Sequence, residues 1–476
     1  MPPTMPDLIK VAVFSIFAFF QSVLPQPSYV EGVVGQPVTF NPLRVGTNQI
    51  DRDISSLIFR SLVRYDAAGN FTGDLAERWS VSTDRKEYTF ELKREVYWQD
   101  GINFTADDVI YSVSQYPQLR EIPTDKLDNY TVRFRLKEPL APFLDILTVG
   151  IVPYHREGKL EDLNPVGTGP FRINRVKKAK IIEEVVLQGN NRRLIFRFYE
   201  NKKDLITAGL LGEVDGYLLE NETETSIRAN YNYFRIPVKN RYYGLFINLN
   251  NDLLKDKDLR KSLAAVTPKQ KIADEVFGGN VGVIDGPEDG NAFESRDYKI
   301  YTLKDLPEKK FAGSITLSVP KKDDHIKTAG ILKEAWEMIG IQVTINPVEM
   351  DKLVSEVIAQ KKFDILLLGQ EVSRDPDRYT LWHSTQKDLP GLNFTGLTQV
   401  RIDRSLEEGR KTGDFNERMT SYQHFQEVFA EEVPAIYLYR PVATYVLKNK
   451  INPGTDFSGV FYLSDRFNNF NEWALE

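Results

Sequence analysis

Between Ser314 and Gly369 the spacing of apolar residues changes period four times. "SITLSVP" has strand character, and residues 324–339 place Ile331, Leu332, Ala335, Trp336 and Ile339 on one helical face. "IQVTINPV" is again strand-like, "MDKLVSEVIAQK" helical, and "FDILLLG" ends the stretch in a continuous apolar run. Strands separated by helices cannot pair through a tight turn. The helix carries the chain back across the sheet, so the strands run parallel and helices cover them. A run as apolar as Ile365–Leu368 suits a strand buried on both faces. The segment therefore predicts a doubly wound α/β unit and excludes an all-helical or all-strand chain.

The early chain has another texture. "EYTFELK" (87–93) alternates Tyr88, Phe90 and Leu92 with polar residues, and "TVRFRL" (131–136) repeats this with Val132, Phe134 and Leu136. Both predict half-buried antiparallel strands, neighbours in one sheet. Between them, Trp98-Gln99-Asp100-Gly101 makes a turn and Thr105 precedes Ala106-Asp107-Asp108. A hydroxyl at that position caps a helix, and two carboxylates in its first turn meet the positive end of the helix dipole. Two such different regions in 476 residues predict more than one domain.

Several function classes lack support. Lys and Arg total 61 against 67 Asp and Glu, a net charge of -6 without long like-charged runs, so nothing steers the chain to nucleic acid. There is no cysteine, which removes disulfides, thiolate metal sites and thiol nucleophiles. His155, His325, His383 and His424 stand too far apart for a ligand motif, so no metal and no cofactor is expected. There is no G-x-S-x-G elbow or Walker A loop, and Gly167-Thr168-Gly169-Pro170 reads as a turn into the strand "FRIN". Asp107/Asp108 and Asp323/Asp324 diverge by about 100° on a helix, so neither pair converges on one atom. The expectation is a protein that is not an enzyme.

Val11–Leu24, an apolar run of 14 residues behind Lys10, is short of the about 20 that span a bilayer and suits an export leader. No small-x-small site follows it. Residues 1–30 are therefore either a cleaved signal peptide or an uncleaved membrane tether, and the remainder lies outside the cytoplasm.

Aromatic residues make up 12% of the chain, and several stand where loops follow strands: Tyr242-Tyr243, Tyr379 and Trp382, Tyr437 and Tyr439. Core packing is the competing role for each; as a set they resemble the lining of an organic-ligand cleft.

The residues from Leu57 to Val113 resemble the signature region of the extracellular solute-binding proteins of family 5, the oligopeptide- and dipeptide-binding components of ABC importers. "VGTGPFRI" (166–173), "YYGLFINLN" with "LRKSLAAVTPKQKIADEVFGG" (242–279) and "FDILLLGQEVSRDPDRYTLW" (363–382) continue the likeness in family order. The resemblance implies a type II periplasmic-binding-protein-like α/β fold with mixed sheets. Lobe one would take residues 31–240 and 440–476, with an accessory subdomain at about 57–165, and lobe two residues 241–439. It implies a peptide or similar organic solute enclosed between the lobes, permease subunits of an ABC importer as partners, and a monomer. The alternatives are a tethered ligand-sensing protein of the same fold, or a peptidase. Matching motif positions name Tyr242, Tyr243, Asn248, Arg374, Asp375, Tyr379, Trp382 and Tyr439 as ligand contacts, with Asn41 of the "FNPL" turn beside them. One departure stands out. Peptide-binding members hold the ligand's ammonium with an aspartate shortly before the Asp-Pro; here that position is Val372, with Glu371 one place away and Arg374 opposing a cationic end.

Overall fold

The computed structural model describes residues 26–221, 230–290, 292–388 and 390–475. The apolar stretch 8–24 lies outside them, and among the described residues no helix is long and apolar enough to cross a membrane.

Gly313–Pro320 pairs parallel with both Ile341–Val348 and Ile365–Glu371, as the changes of period require. The helix Asp323–Glu337 crosses between the first two and buries Ala329, Leu332, Ala335 and Trp336. The indole Nε1 of Trp336 donates to Thr267 Oγ1 at 3.1 Å, which satisfies the polar atom of a fully buried ring. The second crossover is slighter. Met350–Lys352 runs into a wider-wound turn, Leu353–Ile358, that buries only Leu353 and Val357. Ile365–Glu371 also pairs antiparallel with Arg241–Ile247, so the sheet is mixed.

That sheet continues through one long strand, Ala435–Lys448, to twelve strands in all. The first part of the long strand pairs with Arg241–Ile247 and Val281–Val283, the second with Gly216–Glu220 and Tyr231–Pro237. Beyond Gly216–Glu220 come Ser28–Val34, Arg193–Tyr199, Ile182–Gln188 and Arg172–Lys178. Ser28–Val34 pairs parallel with Arg193–Tyr199 from its first residue, so this strand overlaps the stretch 1–30 assigned to the leader. Ladder pairing thus starts three residues ahead of residue 31, directly after Pro27. Tyr29, Phe196, Tyr445, Phe467, Phe470 and Trp473 share one core on this side of the sheet. On the other side two cores flank the parallel strands, one around Leu317, Leu332 and Trp336 and one around Phe246, Trp382 and Phe429.

The early region is a four-stranded antiparallel sheet in which Glu87–Leu92 pairs with Thr131–Arg135, as expected. Helix Ala106–Gln115 packs against it, and its two acids part company. The Asp108 carboxylate accepts the N–H groups of Thr105 and Tyr154, both at 2.8 Å, whereas Asp107 faces outward to Lys126 at 2.7 Å. Neither points into a gap. Trp98 is buried against Phe104. Gln99 beside it accepts the Gly167 N–H at 3.1 Å and donates to the Phe171 carbonyl at 2.7 Å. Those bonds press Gly167 onto the C-terminal end of helix Gln49–Ile58, where an added Cβ would stand 1.9 Å from the Ile58 carbonyl oxygen. Gly167→Ala is therefore expected to cost at least about 3 kcal/mol as the overpacked backbone shifts, while Gly46→Ala, in open space, is close to neutral. Denaturant midpoints of the two variants measure the difference.

Candidate ligand cleft

The chain passes between the two parts of the large sheet twice, at 238–241 and at 440–442, and the passages touch. Val238 N–H donates to the Pro441 carbonyl at 2.9 Å, and Val372 N–H to the Asn240 carbonyl at 2.8 Å. The loop after Ile365–Glu371 is thereby anchored beside both crossings. Side chains from the two parts meet here. The Arg52 guanidinium, on helix Gln49–Ile58, donates both Nη groups to the Glu371 carboxylate at 3.0 and 2.9 Å. Arg241 lies 3.9 Å from the same carboxylate and bonds Glu220 at 3.0 Å. Glu371 is thus met by two guanidinium groups, and its charge is already answered within the protein.

Arg374 reaches across the gap. Its Nη2 donates to Asp465 at 3.1 Å, and its guanidinium lies 4.6 Å from the Tyr65 ring centre and 5.1 Å from that of Phe461. A planar cation between two ring faces gains attraction from both quadrupoles. The Tyr65 hydroxyl donates to Asp145 at 2.7 Å. The opposite rim is closed by backbone: Ala141 N–H donates to the Arg410 carbonyl at 2.6 Å, and the Arg85 guanidinium packs on Gly413, filling the space a Cβ would need. Between the rims stand Tyr65 and Asp145 on one wall and Asp375, Asp377, Tyr379 and Arg410 on the other.

The expected contact residues separate into groups. Arg374 faces the gap. Tyr379 is sandwiched between His383 (4.0 Å, interplanar 17°) and the Arg410 guanidinium (4.2 Å), with Arg410 paired to Asp377 at 3.1 Å. Tyr243 and Tyr439 stack on each other at 5.0 Å, with His325 5.3 Å from Tyr243. Strand alternation sends Tyr242 to the opposite face, where it is buried against Tyr437 at 4.8 Å. Trp382 is enclosed by Phe429 and Phe246. Asp375 receives Arg418 Nη2 on both oxygens, at 2.7 and 2.9 Å, so it holds its own loop. Asn41 accepts the Leu43 N–H at 3.1 Å and shapes a buried turn. Asn248 is seven residues from Arg241 along the strand, roughly 20 Å away, where it donates to the Phe363 carbonyl at 2.8 Å. Trp382, Asn41 and Asn248 are engaged in internal packing and turn bonding. Each came from a motif position, and motif position does not report which way a side chain faces.

Sequence reasoning missed Arg52, Tyr65, Asp145, Arg241, Asp465 and Arg440. Only Arg440 left a trace, a lone cation in the apolar run "PAIYLYRPVATYV". The others meet partners that stand 21 to 319 residues away along the chain. Among the described residues no cluster of three or more His, Asp or Glu has the arrangement of a metal site.

Burial pushes the Asp145 carboxyl up to about 6; the Tyr65 hydroxyl works against this, and repulsion from Asp375 across the gap adds to it. Glu288, enclosed beneath the same wall with Arg378 at 2.7 Å, is pushed up to about 7 by burial. The folded protein keeps the Asp145 proton where the unfolded chain, with its ordinary value of 3.8, releases it. This group's contribution to stability is therefore greatest below pH 3.8 and falls as pH rises to about 6. Asp145→Asn is expected to remove that part of the decline, read as Tm against pH.

Residues 70–388 match the family model of the bacterial extracellular solute-binding proteins, family 5 Middle. The oligopeptide-binding protein AppA of Bacillus subtilis is 24% identical, over 87% of this chain and 86% of its own length. The structure of B. subtilis AppA in complex with a nonapeptide superposes with a TM-score of 0.75 at 22% identity, covering 95% of this chain and all of that one. NikZ of Campylobacter jejuni in complex with Ni(L-His) gives the same TM-score at 23% identity, over 95% of this chain and 100% of its own. With the matched model spanning more than half of the sequence and the same fold in both structures, the chain belongs to the bacterial extracellular solute-binding proteins of family 5.

Proposed function

We propose that this protein captures a peptide or similar organic solute between two lobes and delivers it, chemically unchanged, to the permease subunits of an ABC importer. The lobes are residues 28–240 with the C-terminal return from 440, and residues 241–439. The reading is carried by one observation: residues from different parts of the chain meet at Arg52–Glu371, Arg374–Asp465 and Ala141–Arg410, while the chain passes between those parts at 238–241 and 440–442. Such a joint permits rotation, because few backbone torsions have to change. The relatives' named ligands, a nonapeptide and Ni(L-His), support a solute of organic character. Mature protein outside the cytoplasm, acting as a monomer and released from or held by residues 8–24, completes the proposal.

Closure follows from the charges. Arg52 and Glu371, Arg374 and Asp465 are partnered only when the walls meet, so each pair favours the closed form. A ligand enclosed there exchanges water for fixed dipoles and rings, and binds the closed form more tightly than the open one. The permease then reads a shifted population.

Native mass spectrometry of gently purified protein, followed by identification of what leaves on denaturation, tests the ligand class; recovery of short peptides supports it and recovery of nothing organic opposes it. Solution scattering tests the motion, with a smaller radius of gyration expected when ligand is added. Arg52→Ala removes about 1 kcal/mol from the closed form, a factor of roughly five in affinity measured by calorimetry.

A further inference from the structure

One margin of the large sheet is strongly basic, in a chain whose net charge is -6. Arg172–Lys178 ends the strand order: it pairs with Ile182–Gln188 on one side and, among the described residues, with no strand on the other. With the turn behind it, this edge carries Arg172, Arg175, Lys177, Lys178 and Lys180, all exposed. Glu184 takes Arg175 at 2.8 Å and Arg197 at 3.4 Å, and Glu183 takes Lys177 at 2.7 Å. Arg172, Lys178 and Lys180 have no carboxylate partner among the described residues. Charge on an edge strand blocks pairing with another copy, so the partner it admits is an anionic surface and not a second sheet.

The apolar run 8–24 ends beside this edge. Arg172 pairs with Gln188, Gln188 with Arg193 and Arg193 with Ser28, so the four stand in one row across the sheet. At that row Gln188 Nε2 donates to Gln26 Oε1 at 2.7 Å, and Arg193 N–H to the Pro27 carbonyl at 3.0 Å. Arg193 is exposed, and its Nε donates to the neutral Gln188 Oε1 at 3.1 Å. From Leu24 to Gln26 the chain spans at most about 7 Å. A bilayer holding residues 8–24 therefore lies within reach of Arg172 and Arg193. The edge strand runs on from there for roughly 20 Å to Lys178, and each basic residue brought near anionic headgroups adds to the attraction. A tether alone limits distance and leaves orientation open; a row of cations starting at its root selects which side of the protein lies down.

We propose that the edge strand Arg172–Lys178, with Arg193 and Lys180, lies on the anionic phospholipid surface of the membrane that holds residues 8–24, so that lobe one is the part kept at the bilayer. This rests on the tethered form of the solute-binding reading.

The test reconstitutes the full chain into phosphatidylcholine vesicles with and without phosphatidylglycerol, acetylates its amines and locates the products by mass spectrometry. Lys362, exposed just before Ile365–Glu371 in the other lobe, is the internal reference. With phosphatidylglycerol present, Lys178 and Lys180 react at least about fivefold more slowly than on phosphatidylcholine alone, and high salt restores them. Equal reactivity on the two vesicles, or equal slowing on both, overturns the proposal and leaves these cations to an acidic protein surface. Hydrogen exchange of 172–178 reads the same contact without lysine chemistry. The protection that wild type gains from phosphatidylglycerol disappears in Lys178→Glu/Lys180→Glu, whose circular dichroism matches wild type because both side chains are exposed; a double variant protected as well as wild type refutes the contact. Flotation after a high-salt wash tests the tether by itself. A chain washed off both vesicles that still shows salt-sensitive protection with phosphatidylglycerol refutes the tether and leaves the edge contact standing. A chain that stays on both without that protection refutes the edge contact and leaves the tether. Recovery of the bound solute is independent of either result.

Discussion

One strand, Ala435–Lys448, hydrogen-bonds to both parts of the large sheet, and nearly every residue along it is buried. A buried strand needs ladder partners along its length, since an unpaired N–H or C=O away from water costs as much as a lost hydrogen bond. Its partners come from both sides of the crossing at 440–442. The two parts of the molecule are thereby fixed in register at the joint. The irregularity in pairing at Tyr243/Gly244, close to the joint, marks where the ladder gives way.

The electrostatics of the gap follow from that joint. Arg52, Arg241 and Arg374 come from three elements, and each pairs with a carboxylate from another part of the chain beside the crossing. Ion pairs of this kind add little net stability, because desolvation offsets most of the Coulomb attraction. In the proposed function their value is selectivity of conformation, since they join residues of both lobes. Burial in the same region pushes the carboxyl groups of Asp145 and Glu288 toward neutrality.

Aromatic residues divided differently from what their number suggested. Tyr242, Tyr437 and Trp382 fill the core around Phe429, whereas Tyr65 and Tyr379 lie under guanidinium groups beside the gap. A ring offers the same area to a core as to a ligand, and only its neighbours decide which. The hairpin-to-helix stretch 87–113 turned out structural throughout: Trp98 and Phe104 pack, Gln99 pins a glycine turn, and Asp108 satisfies backbone donors.

The doubly wound segment, the antiparallel pair 87–93 and 131–136, the helix start at Thr105 and the family were legible from residues alone. Each depends on local periodicity or on a contiguous motif, and local spacing survives in a linear string. The partners of Glu371 and Arg374 were not legible. Arg52 and Asp465 stand 319 and 91 residues away from them, and no period or motif links such positions. The direction of each tyrosine and the ion pairing of Glu371 were settled only when the tertiary fold brought distant groups within a few ångströms, because Coulomb energy depends on separation in space and not along the chain.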